Sequence, residues 1–381
     1  MFLNLSRLWR GWDGVLLLLT GLLLSIGLAE IYSSSLARPE LLPLFWRQSA
    51  AAFIGLIGLV FISLVDYRFY RSWSRLIYFI GVVLLVAVLF LGQRIRGTTG
   101  WFNFGVFNFQ PVELVKFFWV VILSSYLAKV GPPLTWRKTI ISTLLLAPWL
   151  VLVGLQPDFG SAFLFMVVWA VLLAVVPKRG SWWLVMFSLA ALAILTSSLF
   201  LKDYQRQRLQ VFLEPQSDPL GGGYNVTQSV IAVGSGSWWG RGLGLGTQSQ
   251  LKFLPEQHTD FIFASIAEEL GLVGSLLLLS LWGAWLGRVI WLVRRLRDDF
   301  AVLLAVGIFS IFLTQVTFNV GMNIGLLPVV GLTLPFLSFG GSSLVVSLLA
   351  VGVLLNLTRH YGRGAPQEAL PTIDREVRTL L

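Results

Sequence analysis

Glu256, His258, Asp260, Glu268 and Glu269 fall within fourteen residues of a chain in which only 12% of residues are charged. A carboxylate in such a cluster can take a proton from an attacking hydroxyl, or hold a cation. Asp260 closes a polar run just before an apolar stretch, so it has two readings. One is a general base, and the other is a helix cap, for which Thr259 competes. Glu268 and Glu269 lie about two turns into the apolar stretch, where burying acids without a purpose is costly.

Four other segments carry polar chemistry. Glu113 and Lys116 are spaced i,i+3 inside an apolar run, so they share a helix face, either as a structural ion pair or as the wall of a polar cavity. Asp158 stands in Gln156-Pro157-Asp158-Phe159-Gly160, a tight break that makes it a helix cap or a site residue. Trp101 sits in a glycine- and aromatic-rich stretch over residues 93–111, fit for an interfacial aromatic belt or for stacking over a sugar or lipid head. LPFLSFGGSS at 334–343 places Ser338 in an uncharged, flexible turn flanked by Asn319 and Asn323, whose ordinary role would be packing between helices. Residues 224–233, which include Gln228, form a short amphipathic helical pattern. The glycine-rich run 234–246, with Arg241, could bring backbone close to a phosphate.

Much chemistry is excluded. There is no cysteine, hence no disulfide, thiolate nucleophile or Cys-ligated metal, and two histidines, His258 and His360, cannot build a His-rich metal site. No serine stands in a nucleophile elbow, and neither a Walker motif nor a dinucleotide fingerprint is present. A substrate that carries its own leaving group fits best: a sugar on a lipid diphosphate. One carboxylate would accept the proton of the attacking hydroxyl, and basic residues such as Lys116, Arg241 and Lys252 would steady the departing diphosphate. A divalent cation, Mg2+ or Mn2+, bridging a carboxylate and the diphosphate suits the same chemistry.

These residues must be held by membrane helices. The chain has 381 residues, 56% hydrophobic, against about 45–50% apolar residues in soluble domains. Its mean hydropathy is +0.80. Apolar runs predict an all-α polytopic membrane protein with ten spans, near 14–33, 48–65, 75–92, 112–129, 139–156, 161–177, 182–201, 261–293, 300–322 and 342–358. The run 261–293 is too long for a simple span, and reads as a helix that begins inside the protein at the outer face and crosses fully after Gly271. With the N-terminus inside, eighteen Lys and Arg fall in inner segments and nine in outer ones, five of them in the long loop 202–260. Both termini are therefore expected in the cytoplasm, and the net charge of +10 reflects this asymmetry rather than nucleic-acid binding. The first apolar run lacks a cleavage site near its end and reads as a retained helix. Residues 1–358 are expected to form one integral-membrane domain and 359–381 a cytoplasmic tail.

GTQSQLKFLPEQHTDFIFASIAEELGLVG closely resembles the signature of the SEDS (shape, elongation, division and sporulation) family. GWFNFGVFNFQPVELVK, QPDFGSA, YNVTQSVIAVGSG and LPFLSFGGSS resemble other family blocks, in the family's order, so the likeness covers nearly the whole chain. Within the family, GTQSQL and Ala267-Glu268-Glu269 look more like the rod-shape members than the division members. The resemblance implies a peptidoglycan glycosyltransferase that polymerises lipid II outside the bacterial cytoplasmic membrane, for cell-wall elongation. It also implies a class B penicillin-binding protein as transpeptidase partner within the elongation machinery. The family's essential Asp falls on Asp260, its loop Trp on Trp101, its Glu and Lys on Glu113 and Lys116, and its QPD acid on Asp158. Gln228, Arg241, Lys252, Glu256, His258 and Ser338 are further candidates for the cavity that takes lipid II and the growing strand. Two rival readings are a lipid II flippase, which needs sites reachable from both faces, and a scaffold that only recruits the penicillin-binding protein.

Overall fold

Asp13 starts the first span: its carboxylate accepts the Leu16 N–H, satisfying a donor that the opening turn leaves orphaned. In the computed structural model, helix α1 then runs Gly14–Ala37. The structure describes residues 11–95, 97–105, 107–177, 212, 214, 222–246, 248, 253, 254 and 256–361. A 3-10 turn at Pro39–Leu41 leads into α2 (Leu42–Leu64), and Asp66 caps the short α3 (Tyr67–Ser72) ahead of α4 (Ser74–Leu91).

The aromatic-rich stretch that follows is a small antiparallel sheet in the order β1 (Gln93–Ile95), β2 (Thr98–Asn103), β3 (Asn108–Phe109). Phe102 pairs with Phe109 across it, and the sheet rests on the ends of α4 and of the next helix. That helix, α5 (Pro111–Val130), opens on a proline, whose missing N–H costs nothing at a first turn. α6 (Trp136–Leu155) and α7 (Phe159–Val175) are joined by the Pro157-Asp158 break.

Beyond it come α8 (Gly222–Ser235), α9 (Ile262–Val293), α10 (Asp299–Asn323) and α11 (Gly341–Tyr361). α5 and α10 bury most of their surface and form the centre, while α4 and α6 present broad apolar faces outward. Four aromatic rings, Trp282, Trp285, Phe312 and Phe336, interlock where α9, α10 and the α10–α11 link meet.

Eight of these helices are long and apolar enough to cross a membrane, and α7 is a shorter apolar helix. Together they account for nine of the ten expected spans, with ends shifted by a few residues. The tenth, 182–201, lies outside the described residues, as does the chain after Tyr361.

α9 confirms the two-part reading of its long apolar run. Gly271 has φ 67° and ψ −166°, so one short helix ends there, and the stretch Leu272–Val293, roughly 33 Å at the α-helical rise, is enough to span. The glycine-rich run serves this break. Leu272 and Val273 N–H donate to the Ser237 and Trp238 carbonyls, and Arg241 and Gly242 N–H donate to those of Glu268 and Glu269. A Cβ on Gly271 would lie 2.2 Å from the Gly240 nitrogen, and one on Gly240 would lie 2.1 Å from the Glu269 carbonyl oxygen. These glycines therefore let backbone approach backbone, supplying the partners that a broken helix leaves unsatisfied.

Candidate active site

Asp260, Asp158, Glu113, Lys116 and Trp101 come together around one open cavity. Its walls come from β2, the first turns of α5, the α6–α7 break, the turn before α9, and the link between α10 and α11. No single segment contains it; the bundle assembles it.

Glu113 and Lys116 form the floor. Lys116 Nζ donates to Glu113 Oε1 at 2.7 Å, and both residues are buried. The two readings of the pair hold together, because a matched ion pair also faces the cavity. Among the described residues, Lys116 is the one basic side chain that lines it.

Asp158 caps α7. Its Oδ1 accepts the Ser161 N–H at 3.0 Å, and its Oδ2 accepts the Ser161 hydroxyl at 2.8 Å and the Gln110 amide at 3.5 Å. The side chain thus caps α7 and also lines the cavity. Trp101 is half-buried on β2, at the wall facing Asp158 and Asp260.

Asp260 is the last residue but one before α9. The N–H of Ala264, the third residue of α9, is shared between the Phe261 carbonyl at 3.1 Å and Asn323 Oδ1 at 3.0 Å. The turn is pinned on several sides. Ser338 Oγ donates to the Thr259 carbonyl at 2.7 Å, and Phe339 N–H donates to the His258 carbonyl. Gln48, buried on α2, fixes the opposing turn by donating to the Ser338 carbonyl and accepting the Gly340 N–H. Gly331 stands beside the carboxylate: a Cβ there would meet Asp260 Oδ2 at 3.8 Å, an ordinary contact.

The other sequence candidates lie elsewhere. Ser338 is buried behind the wall as a support. Glu256 is exposed and accepts the Thr259 hydroxyl, and His258 is half-buried, with its ring nitrogen 3.3 Å from the Gln257 amide. Gln228 sits on α8, and Arg241 is exposed in the glycine-rich run; neither lines the cavity. Lys252 lies outside the described residues.

Glu268 and Glu269 also stand apart from the cavity. Glu268 Oε1 accepts the Gln248 N–H, Glu269 Oε2 accepts the Ser33 hydroxyl, and Glu30 on α1 accepts the Ser265 hydroxyl. These acids tie α1, α9 and the glycine-rich run together. Glu30 and Gln48 were not singled out from sequence, although each is a polar residue in an apolar run, which was the available signal.

A divalent cation was expected. Among the described residues no group of three or more His, Cys, Asp or Glu side chains is arranged to hold a metal ion. The donor set suits an ion of the magnesium type, which takes one or two carboxylates and completes its shell with water and substrate phosphate. Asp260 would be the protein ligand.

Fold and site define a multi-pass helical membrane protein with an acid-lined cavity at one end of its bundle. The chain belongs to the SEDS family: residues 13–362 match the cell cycle protein family of FtsW, RodA and SpoVE. It is 37% identical to the peptidoglycan glycosyltransferase MrdB of Escherichia coli K12 over 92% of this chain and 95% of that protein. It is 38% identical to stage V sporulation protein E of Bacillus subtilis 168, over 91% and 97%. Among solved structures it resembles a chain of a peptidoglycan synthase complex that coordinates polymerization and crosslinking, with 30% identity and a TM-score of 0.79 over 93% of this chain and 100% of that one. It also resembles the rod shape determining protein RodA of Thermus thermophilus, with 28% identity and a TM-score of 0.69 over 92% and 98%.

Proposed function

We propose that this protein is a peptidoglycan glycosyltransferase that polymerises lipid II into β-1,4 glycan strands on the outer face of the bacterial cytoplasmic membrane. The observation that carries this is the meeting of Asp260, Asp158, Trp101 and the Glu113–Lys116 pair around one cavity, in a chain whose relatives include a named peptidoglycan glycosyltransferase.

The chemistry follows from the arrangement. Asp260 takes the proton from the 4-hydroxyl of the acceptor's N-acetylglucosamine. That oxygen bonds to the anomeric carbon of the donor's N-acetylmuramic acid as the carbon–oxygen bond to the diphosphate breaks, and undecaprenyl diphosphate departs with the bonding electrons. An α-diphosphate becomes a β linkage in one displacement. Lys116, desolvated on the cavity floor, faces the developing negative charge, where a fixed cation has more effect than in water. Trp101 offers a flat apolar face to a sugar ring. In the alternative role of Asp260, as a ligand of Mg2+ or Mn2+, the ion would neutralise charge on the departing diphosphate.

The likeness to a chain of a synthase complex supports a crosslinking partner, a class B penicillin-binding protein working with the elongation machinery. The excess of Lys and Arg in the segments read as inner supports an outward-facing site.

The test is to purify the protein with that partner, add lipid II and a divalent cation, and look for glycan strands, with Asp260→Ala alongside. Polymer from the wild type and none from a folded variant supports the reading. Lipid II crossing liposome membranes without polymer would replace it with a flippase.

A further inference from the structure

We infer that Asn319 and Asn323 are positioning residues for Asp260: from α10 they hold its backbone, and Asn323 adds a side-chain bond to the first turn of α9, so that the residue is fixed where it lines the cavity. The inference rests on the proposed role of Asp260 as base.

The two amides stand one turn apart on α10, and both are fully buried. Each Nδ2 donates to the Asp260 carbonyl at 3.0 Å. Asn319 spends its second proton on the Leu332 carbonyl at 2.9 Å, and Asn323 spends its own on the Asn319 carbonyl at 2.7 Å. All four amide protons are therefore used, which fixes which side-chain atom is nitrogen. Asn323 Oδ1 is left to accept, and it accepts the N–H of Ala264, the third residue of α9, at 3.0 Å, a proton it shares with the Phe261 carbonyl at 3.1 Å. A helix ordinarily receives that bond from its own N-cap side chain. Here the N-cap is Phe261, whose side chain makes no cap bond.

Aspartate beside a helix start readily turns back onto the helix. An amide from another helix supplies that bond at Ala264. The same pair reaches both rims of the cavity, since Leu332 lies between the lining residues Gly331 and Thr333. Ser229 Oγ on α8 donates to the Asn323 carbonyl, so α8 braces the clamp. Packing alone would not need two donors on one carbonyl.

Steady-state polymerisation and hydrogen exchange, measured on the complex with the partner, test this in Asn319→Ala, Asn323→Ala and the double variant. Misplacing a catalytic group by about 1 Å can cost about 100-fold in rate. The double variant is expected to lose at least about tenfold in kcat, with KM for lipid II changing by less than about twofold. Amides 256–264 are expected to exchange faster while those of α5 and α11 stay protected. Asn319→Ala keeps the bond from Asn323 to Ala264, and covers the case in which the double variant does not fold; it is expected to show the same split, more weakly. A raised KM with kcat retained, or a turn as protected as in wild type, overturns the inference. If the wild-type complex makes no polymer, the reading of Asp260 as base fails, and exchange in the 256–264 turn still decides whether the asparagines hold it.

Discussion

Lys116 and Glu113 bind each other at 2.7 Å, one turn apart on a central helix, with almost no exposure to solvent, at the floor of the cavity that Asp260 also lines. Each charge makes the other tolerable there. Removing one partner should destabilise the fold by about 3–5 kcal/mol, because an uncompensated charge stays buried. Thermal unfolding in detergent should show Glu113→Gln and Lys116→Met each melting early, and the double variant recovering most of the loss. Glycan synthesis should not recover in the double variant, since the cation facing the diphosphate is gone. Full activity in it would remove Lys116 from the mechanism.

Asp260→Asn should fold normally. The bonds that hold its turn come from Asn319, Asn323, Ser338 and Phe339 and end on backbone atoms. The expected result is a melting temperature within a few degrees of wild type and no detectable glycan strands on a gel. A variant that polymerises at the wild-type rate would sink the assignment of the base.

Asp158 separates its two roles by substitution. Asparagine also caps well, so Asp158→Asn should keep stability, whereas Asp158→Ala should lose about 0.5–2 kcal/mol with the cap. Because both carboxylate oxygens already accept bonds from Ser161 and Gln110, the Asn variant is expected to retain at least about a third of the polymerisation rate, a change under about 1 kcal/mol in the barrier. A complete loss in a stable Asn variant would show that the charge itself acts on substrate.

Gly271→Ala should sharply reduce the yield of folded protein. Alanine resists φ 67°, and its Cβ would collide with Gly240. Gly287→Ala in the same helix is the control: nothing lies within 4 Å of a Cβ there, and it should change stability by no more than about 1 kcal/mol. Fluorescence-detected size exclusion of both variants reads this directly, and equal yields would mean the break at Gly271 is not required.

Most of the architecture is written in the sequence, because a membrane makes the code simple. Runs of about 20 apolar residues read as helices, since a helix closes all its backbone bonds within one segment and so can stand alone in lipid. Motif residues before or within those runs marked Trp101, Glu113, Lys116, Asp158 and Asp260, and all five line the cavity. Even the break at Gly271 was legible, from a run too long for one crossing.

Tertiary structure decided which polar residues serve the cavity and which serve the frame. By sequence spacing Glu268 and Glu269 belong with Asp260, yet they bond toward α1 and the glycine-rich run. The glycine-rich run, whose composition lets backbone approach a ligand, supplies hydrogen bonds to a broken helix. Ser338 supports from behind, and Gln48, far away in the chain, fixes its turn. Sequence spacing sets which side chains share a face of one helix. Which face meets which depends on how separate helices dock, and a hydrogen bond such as that from Asn323 to Asp260, across 63 residues, exists only once they have.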